Sequence, residues 1–227
     1  PEEARISPAA FQSAMLWEID DTTGFSLSLN PINWIKALFT SDEGSNYRTL
    51  TVTNCTFADN MAYATSSVSS AAIYSKYTNT TLNNCAFANN TKNGGVSESY
   101  AAYGYGGDTK VMNYCKSTLT APYEYGFDNS NNCEGGVTEG FADDTNDDYT
   151  LSSNSAFIDG GSNSYWPAIG DRNGGAYQTT ADCGAFEYCV SASWDGSEST
   201  DFSTAGNWST NHPRCVHVTI ANVTNNP

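Results

Sequence analysis

The sequence predicts an all-β fold: a right-handed single-stranded parallel β-helix (a solenoid) with the beginning of a second β-sandwich-like module. Three observations predict it. A short phrase is repeated once and echoed a second time at a fixed spacing. The apolar runs within each repeat are too short for helices. The period then fails, and a different Trp- and Gly-containing pattern opens near the end.

The phrase is Val52-Thr53-Asn54-Cys55-Thr56-Phe57-Ala58-Asp59-Asn60, which returns as Leu82-Asn83-Asn84-Cys85-Ala86-Phe87-Ala88-Asn89-Asn90. A degraded copy follows as Met112-Asn113-Tyr114-Cys115, so that Cys55, Cys85 and Cys115 are separated by two equal steps of 30. Upstream of each copy sits a second apolar landmark: Ala37-Leu38-Phe39-Thr40, Ala72-Ile73-Tyr74-Ser75, then Ala102-Tyr103-Gly104. A fixed period with two apolar landmarks indicates repeats that bury their apolar faces only against their neighbours.

Helical repeats need apolar residues at i, i+3, i+4 and i+7 over ten or more residues. Here Leu50 and Val52 alternate with threonines, and the parity then shifts so that Cys55 and Phe57 form the next inward pair. Such a shift bends the strand and starts a new one, which places Asn54 at a corner. Asn suits a corner because its short amide tolerates the left-handed conformation and bonds neighbouring backbone. Asn54 and Asn84 are expected to stack on successive coils and share amide hydrogen bonds. Phe57 is expected to lie over Phe87, with the three cysteines pointing inward.

Phe57-x-x-Asn60 and Phe87-x-x-Asn90, together with Ala71-Ala72-Ile73, resemble repeats of bacterial surface β-helix proteins. The polymorphic outer-membrane proteins, with Gly-Gly-Ala-Ile and Phe-x-x-Asn signatures, are the nearest analogue. This sequence has Ala where that family has Gly, except at Gly94-Gly95-Val96, so the similarity is to the class. Further on, Asp148-Tyr149-Thr150-Leu151, Ala156-Phe157-Ile158-Asp159-Gly160-Gly161, Asp171-Arg172-Asn173-Gly174 and Asp182-Cys183-Gly184-Ala185-Phe186-Glu187-Tyr188 follow in order. That order resembles the closing segment of secreted β-helix proteins of Bacteroidetes and relatives. It departs from the pattern at Asn154, Phe157 and Cys183.

Residues 1–34 are expected to form an imperfect first coil, with strands at Trp17-Glu18-Ile19 and Phe25-Ser26-Leu27-Ser28-Leu29. Clear repeats occupy 35–120, and from 121 the period fails. The segment 148–188 carries Leu151, Phe157, Ile158, Ile169, Phe186 and Tyr188 among Gly, Asn and Asp. It is expected to cap the last coil, whose apolar interior and strand edges otherwise invite aggregation. One domain is therefore expected over 1–188, including that cap, and the incomplete start of a separate β-rich module over 189–227. Trp194-Asp195-Gly196 and Ala205-Gly206-Asn207-Trp208 resemble the opening of β-rich surface modules in the same bacteria, with Trp194 and Trp208 expected in the core. No stretch reads as a signal peptide or a membrane span, and the chain is read as part of a longer polypeptide.

The chain has 9 basic against 25 acidic residues, a net charge of −16. Such a surface repels phosphate backbones and anionic lipid, so nucleic acid is not an expected partner and membrane insertion is not expected. Acidic excess with abundant Asn, Thr, Ser, Gly and Tyr suits a secreted bacterial surface protein; the plain alternative is that acidity only confers solubility. Among seven cysteines, Cys55, Cys85 and Cys115 read as a stack of small interior apolar residues. Cys133, Cys183, Cys189 and Cys215 lie in irregular Gly-rich sequence and read as disulfide candidates. No Cys-x-x-Cys occurs, and His212 and His217 suggest no zinc site.

Parallel β-helices include polysaccharide lyases and glycoside hydrolases, and hydrolysis needs two carboxylates about 5 to 9.5 Å apart. The counterpart of Asp59 is Asn89, so the coils lack an acidic stripe and no catalytic residue is assigned. Asp143, Asp144, Asp147 and Asp148 form the densest acidic cluster and are the candidate Ca²⁺ ligands. They lack Asp-x-Asp-x-Asp-Gly spacing, which favours a solvated turn; no other cofactor is expected. The sequons at Asn54, Asn79, Asn89, Asn207 and Asn222 are read as structural. Tyr100, Tyr103, Tyr105, Tyr123 and Tyr125 cluster near the third coil. They are candidate ligand contacts, for sugar rings or proteins, or else an apolar plug over a disturbed coil.

The expectation is a non-catalytic segment of a large secreted or cell-surface bacterial protein, adhesin-like or a stalk. The resemblance implies export by the type IX system and an extracellular or outer-surface location. Its expected partners are glycans, or cell-surface or secretion-machinery proteins. The alternatives are a carbohydrate-active enzyme on the same fold and a fibre or sheath component.

Overall fold

The computed structural model describes residues 15–16, 26–29, 38–41, 48–62, 69–92, 99–106, 109–120, 124–127, 130–166, 171, 180–188, 192–194, 197–199, 201, 204, 207 and 218–220. Those residues are strand-rich with almost no helix, and most of the sheet is parallel with no closed barrel.

Three parallel sheets carry the repeats. The first orders Met15–Leu16, Leu38–Ser41, Ser69–Lys76, Ser99–Tyr105 and Glu124–Tyr125 side by side. The second orders Ser26–Leu29, Arg48–Thr53, Thr78–Asn83, Lys110–Asn113 and Ser130–Asn131. The third orders Thr56–Ala58, Ala86–Ala88, Lys116–Ser117 and Glu134–Gly135, and a small pair joins Met61–Ala62 to Thr91–Lys92. Each neighbour in a sheet comes from the next repeat in the chain, so the repeats stack as layers.

The register puts the repeated phrase on itself. Val52 pairs Leu82 and Leu82 pairs Met112; Phe57 pairs Phe87 and Phe87 pairs Ser117. The corner between the second and third sheets is left-handed at Asn54 (φ 49°) and Asn84 (φ 50°), as the parity shift requires. The upstream landmark stacks as well: Leu38 pairs Ile73 and Ile73 pairs Ala102, with a register irregularity just before Ala102. Inside, Leu50, Val52, Cys55, Phe57, Ile73, Leu82, Cys85, Phe87, Met112 and Cys115 form one buried cluster.

At two points the structure differs from the sequence expectations. The 30-residue period fails from 121, but the layering goes on: a shortened fourth layer follows, in which Asn131 pairs Asn113 and Gly135 pairs Ser117, a step of 18 instead of 30. Also, the contacts of 148–188 run along the flank of the stack instead of over its end. Thr56 Oγ1 accepts from the Ala185 N–H at 3.0 Å, and the Asn84 carbonyl accepts from Gly184 at 2.8 Å. The Cys183 thiol donates to the Tyr114 carbonyl at 3.1 Å. The reason lies in the outer face of the third sheet, where Ala58, Ala86 and Ala88 leave shallow relief that Tyr149, Leu151, Phe157, Ala185 and Phe186 fill. The first two strands of the third sheet are thereby buried on both faces, which accounts for the uninterrupted burial of Thr56–Ala58 and Ala86–Ala88.

An antiparallel hairpin of Phe141–Asp143 and Asp148–Leu151 leads into that flank. Ala192–Trp194 pairs in parallel with Val218–Ile220, and Trp194 is buried. Asn207 is buried too, its Oδ1 accepting from the Glu198 and Ser199 N–H groups at 2.7 and 3.0 Å. Trp208, Trp17, Glu18 and Ile19 lie outside the described residues.

Candidate functional site

The first sheet turns Ile73 and Ala102 inward and a file of tyrosines outward. Tyr74, Tyr103 and Tyr125 are register partners on successive layers. Their rings stack nearly parallel, with centroids 5.4 Å and 4.9 Å apart. Tyr100 leans on both Tyr103 (6.0 Å) and Tyr125 (5.6 Å). Beside this file Tyr77 and Tyr105 meet edge to face at 5.9 Å, with the Lys76 ammonium 5.2 Å from the Tyr77 ring centre.

Exposure divides the file into support and surface. Tyr103 is 6% exposed, whereas Tyr105 and Tyr125 are 50% and 51% exposed. Burial, and then the neighbouring phenols, push the Tyr103 hydroxyl above its ordinary value, so it stays neutral. The stacked faces of Tyr74 and Tyr103 are covered by their neighbours. What remains for a partner is the outer ring surface of Tyr125, the ring of Tyr105 and the edge of Tyr100. Among the five tyrosines singled out in the sequence, Tyr100, Tyr103 and Tyr125 meet directly, Tyr105 stands beside them, and Tyr123 lies outside the described residues. Tyr74 and Tyr77 were missed. Tyr74 occupies the place of Tyr103 in the upstream landmark, and that alignment was the available signal.

The acidic cluster does not converge. Asp144–Asn146 is one turn of 3-10 helix closed by Asp147 in the left-handed region. Asp143 accepts from the Asn146 amide at 2.6 Å, and Asp148 from Thr150 Oγ1 at 2.6 Å, so these two carboxylates brace their own turn. Asp147 instead shares the Tyr149 hydroxyl with Asp59, at 3.2 and 2.9 Å. Burial raises the Asp59 carboxyl above its ordinary value; the Tyr149 bond opposes this, and Asp144 and Asp147 add to it. The same surroundings push the Tyr149 hydroxyl up, burial first. Asp59 thus has an acidic neighbour supplied by the flank, with a phenol standing between the two carboxylates. Among the described residues no group of three or more His, Cys, Asp or Glu is placed to hold a metal ion.

The structural residues form three files beneath this surface. The Asn84 amide donates to Asn54 Oδ1 at 3.3 Å and to the Ser162 carbonyl at 2.9 Å, while its Oδ1 accepts from the Ser162 N–H at 2.8 Å. Asn84 therefore joins layer to layer and stack to flank. The longer amide ladder lies one residue earlier: Asn113 donates to Asn83 at 2.9 Å and Asn131 to Asn113 at 2.8 Å. It runs there because Tyr114, at φ 53°, replaces Asn at the third corner.

Cys55, Cys85 and Cys115 are buried free thiols in one file, and Cys133 is its fourth member. Cys85 N–H donates to Cys115 Sγ at 3.4 Å, and Cys115 N–H to Cys133 Sγ at 3.3 Å. Neither disulfide candidate among the described residues is bridged in this structure: Cys133 is a thiol in the file, and Cys183 is a thiol of the flank turned onto the Tyr114 carbonyl. Cys189 and Cys215 lie outside the described residues, as do His212 and His217.

Among the described residues no helix is long and apolar enough to cross a membrane. No family model, curated protein or solved structure matches the chain.

Proposed function

We propose that the layers form a right-handed single-stranded parallel β-helix, and that the chain is a non-catalytic, adhesin-like or stalk segment of a large secreted bacterial surface protein. On this proposal residues 189–227 begin a separate β-sandwich-like module, and the type IX system exports the whole. The observation that carries the functional part is the outward tyrosine file, which ends in the half-exposed Tyr125 with Tyr105 beside it. An aromatic ring held rigidly by a stack beneath it presents a flat apolar surface at little entropic cost. Such rings stack on the apolar faces of sugars. With a net charge of −16, uncharged glycans are the fitting partners, because acidic polymers are repelled.

Binding of the folded chain to a panel of neutral glycans and polyuronates tests this. Neutral glycan binding should weaken roughly 2- to 10-fold in Tyr125→Ala, the range expected for one aromatic stack. Equal binding by a Tyr105→Ala, Tyr125→Ala double variant would refute the tyrosine surface. Reproducible cleavage of any glycan would refute the non-catalytic reading.

A further inference from the structure

We propose that Cys115 and Cys133 form a reversible disulfide when the protein meets a low-molecular-weight disulfide oxidant, tying the third layer to the fourth. Four thiols stand in one file, but their surroundings differ along it. Cys55, Cys85 and Cys115 are buried, whereas Cys133, at the last layer, is half-buried and reachable. Cys133 also receives a bond from its neighbour: the Cys115 N–H donates to its sulfur at 3.3 Å, while the Cys115 thiol donates to the Leu82 and Asn113 carbonyls at 3.6 and 3.4 Å. Hydrogen bonding with Cys115 draws the Cys133 thiol below its ordinary value, while burial holds Cys115 well above. The reachable sulfur is thus the nucleophile, and its resolving partner is the residue beside it in the register of the next layer.

The geometry allows the bond and makes it weak. Neighbouring parallel strands place equivalent Cα atoms about 4.8 Å apart, inside the roughly 4.4–6.8 Å range of disulfides. Stacked side chains run parallel, so their Cβ atoms start near that same spacing, slightly beyond the usual range of about 3.5–4.5 Å. The fourth layer can close the difference, because Ser130–Asn131 and Glu134–Gly135 are strands of two residues each. A disulfide closed against such resistance is readily reduced, which suits a reversible link.

The chemistry balances as thiol–disulfide exchange. The Cys133 thiolate attacks one sulfur of the oxidant, its S–S bond breaks, and one small thiol leaves. Cys115 then attacks the Cys133 sulfur, gives its proton to the departing thiolate and expels the second small thiol. Two cysteine thiols are oxidised by two electrons, and the oxidant is reduced to two thiols.

Oxidised glutathione serves as the probe on the folded chain, followed by alkylation under denaturing conditions and digestion with trypsin without reduction. Cleavage after Lys110, Lys116 and Arg172 puts Cys115 in peptide 111–116 and Cys133 in peptide 117–172, the latter with no other cysteine. The expected result is one species joining these two peptides, lost on brief treatment with dithiothreitol. It should be absent from Cys133→Ser and retained in Cys85→Ser. Persistence of Cys133 as an unresolved glutathione adduct, a link from Cys133 to another cysteine, or no reaction at Cys133 would each overturn the proposal.

Discussion

Truncation of Phe87 to Ala tests the packing that supports everything outside it. Phe87 lies between Phe57 above and Ser117 below in the register, and both phenylalanines are buried with rings stacked at 5.1 Å and 12°. Removing a buried Phe side chain costs ~3–5 kcal/mol, combining lost transfer energy with the cavity left behind. The site has little means of collapse. Cys85 and the layers either side are fixed by backbone ladders, and Ser117 below brings no side chain large enough to fill the space. The loss should therefore fall in the upper half of that range. Net stability of a domain is only ~5–15 kcal/mol, so the change is a large fraction of it.

Urea denaturation followed by far-ultraviolet circular dichroism is the assay. With a slope of roughly 1–3 kcal/mol per molar urea, the midpoint should fall by more than about 1 M. Phe87→Leu keeps most of the volume and should lose less than about 1.5 kcal/mol. A loss below ~1 kcal/mol for Phe87→Ala would refute the reasoning, since a dry, rigid interior cannot tolerate that deletion so lightly.

Two further outcomes are expected. Gly184 sits at φ 104°, and a Cβ there would lie 2.6 Å from Thr56 Oγ1 and 3.1 Å from the Ala86 Cβ. Gly184→Ala should lift the flank from the third sheet, seen as faster proteolysis within 141–188 while the repeats keep their β signal; unchanged protease resistance would count against the docking. Asp182 is 2% exposed, and burial pushes its carboxyl up to about 6, although Asp159 and Tyr188 N–H groups donate to it. The folded state therefore binds the proton more tightly than the unfolded state. Its stabilising effect is complete below about pH 4 and is lost as pH rises through about 6. Thermal unfolding should accordingly show stability rising from pH 7 to pH 5, with Asp182 contributing on the order of 1 kcal/mol over that interval. Asp182→Asn should flatten that slope, and an unchanged slope would show that the group is not buried as described.

The repeat was legible because a layered stack writes its geometry into the sequence at a fixed interval. Cys55, Cys85 and Cys115, and Phe57 and Phe87, could be aligned by inspection, and the register places them on one another. The fourth layer escaped because its step contracts to 18 and its strands shrink to two residues, too short for any periodic signal. One mark of it was nevertheless present: Asn131-Asn132-Cys133 repeats the Asn-Asn-Cys of 83–85. Asn132 takes the left-handed corner at φ 51°, as Asn84 does at φ 50°. Composition drew attention away from it, because Gly and Asn around Cys133 resemble a disulfide loop.

The flank was less legible for a different physical reason. A chain that covers a sheet's outer face is bound by contacts remote in sequence, such as Ala185 with Thr56 and Ser162 with Asn84, and no local period records these. The clue lay on the other partner. Outward positions of a solvated sheet face are expected to be polar, yet Ala58, Ala86 and Ala88 present small apolar side chains between Asn corners. On the first sheet the outward positions carry Tyr74, Tyr103 and Tyr125, and these are only partly covered among the described residues. Two outer faces of one stack thus depart from polar composition in two ways. The small one is filled by the chain's own flank. The large aromatic one remains exposed at Tyr105 and Tyr125, and it is this exposure that supports the proposal of ligand contact at the tyrosines and not at the acidic turn at 143–148.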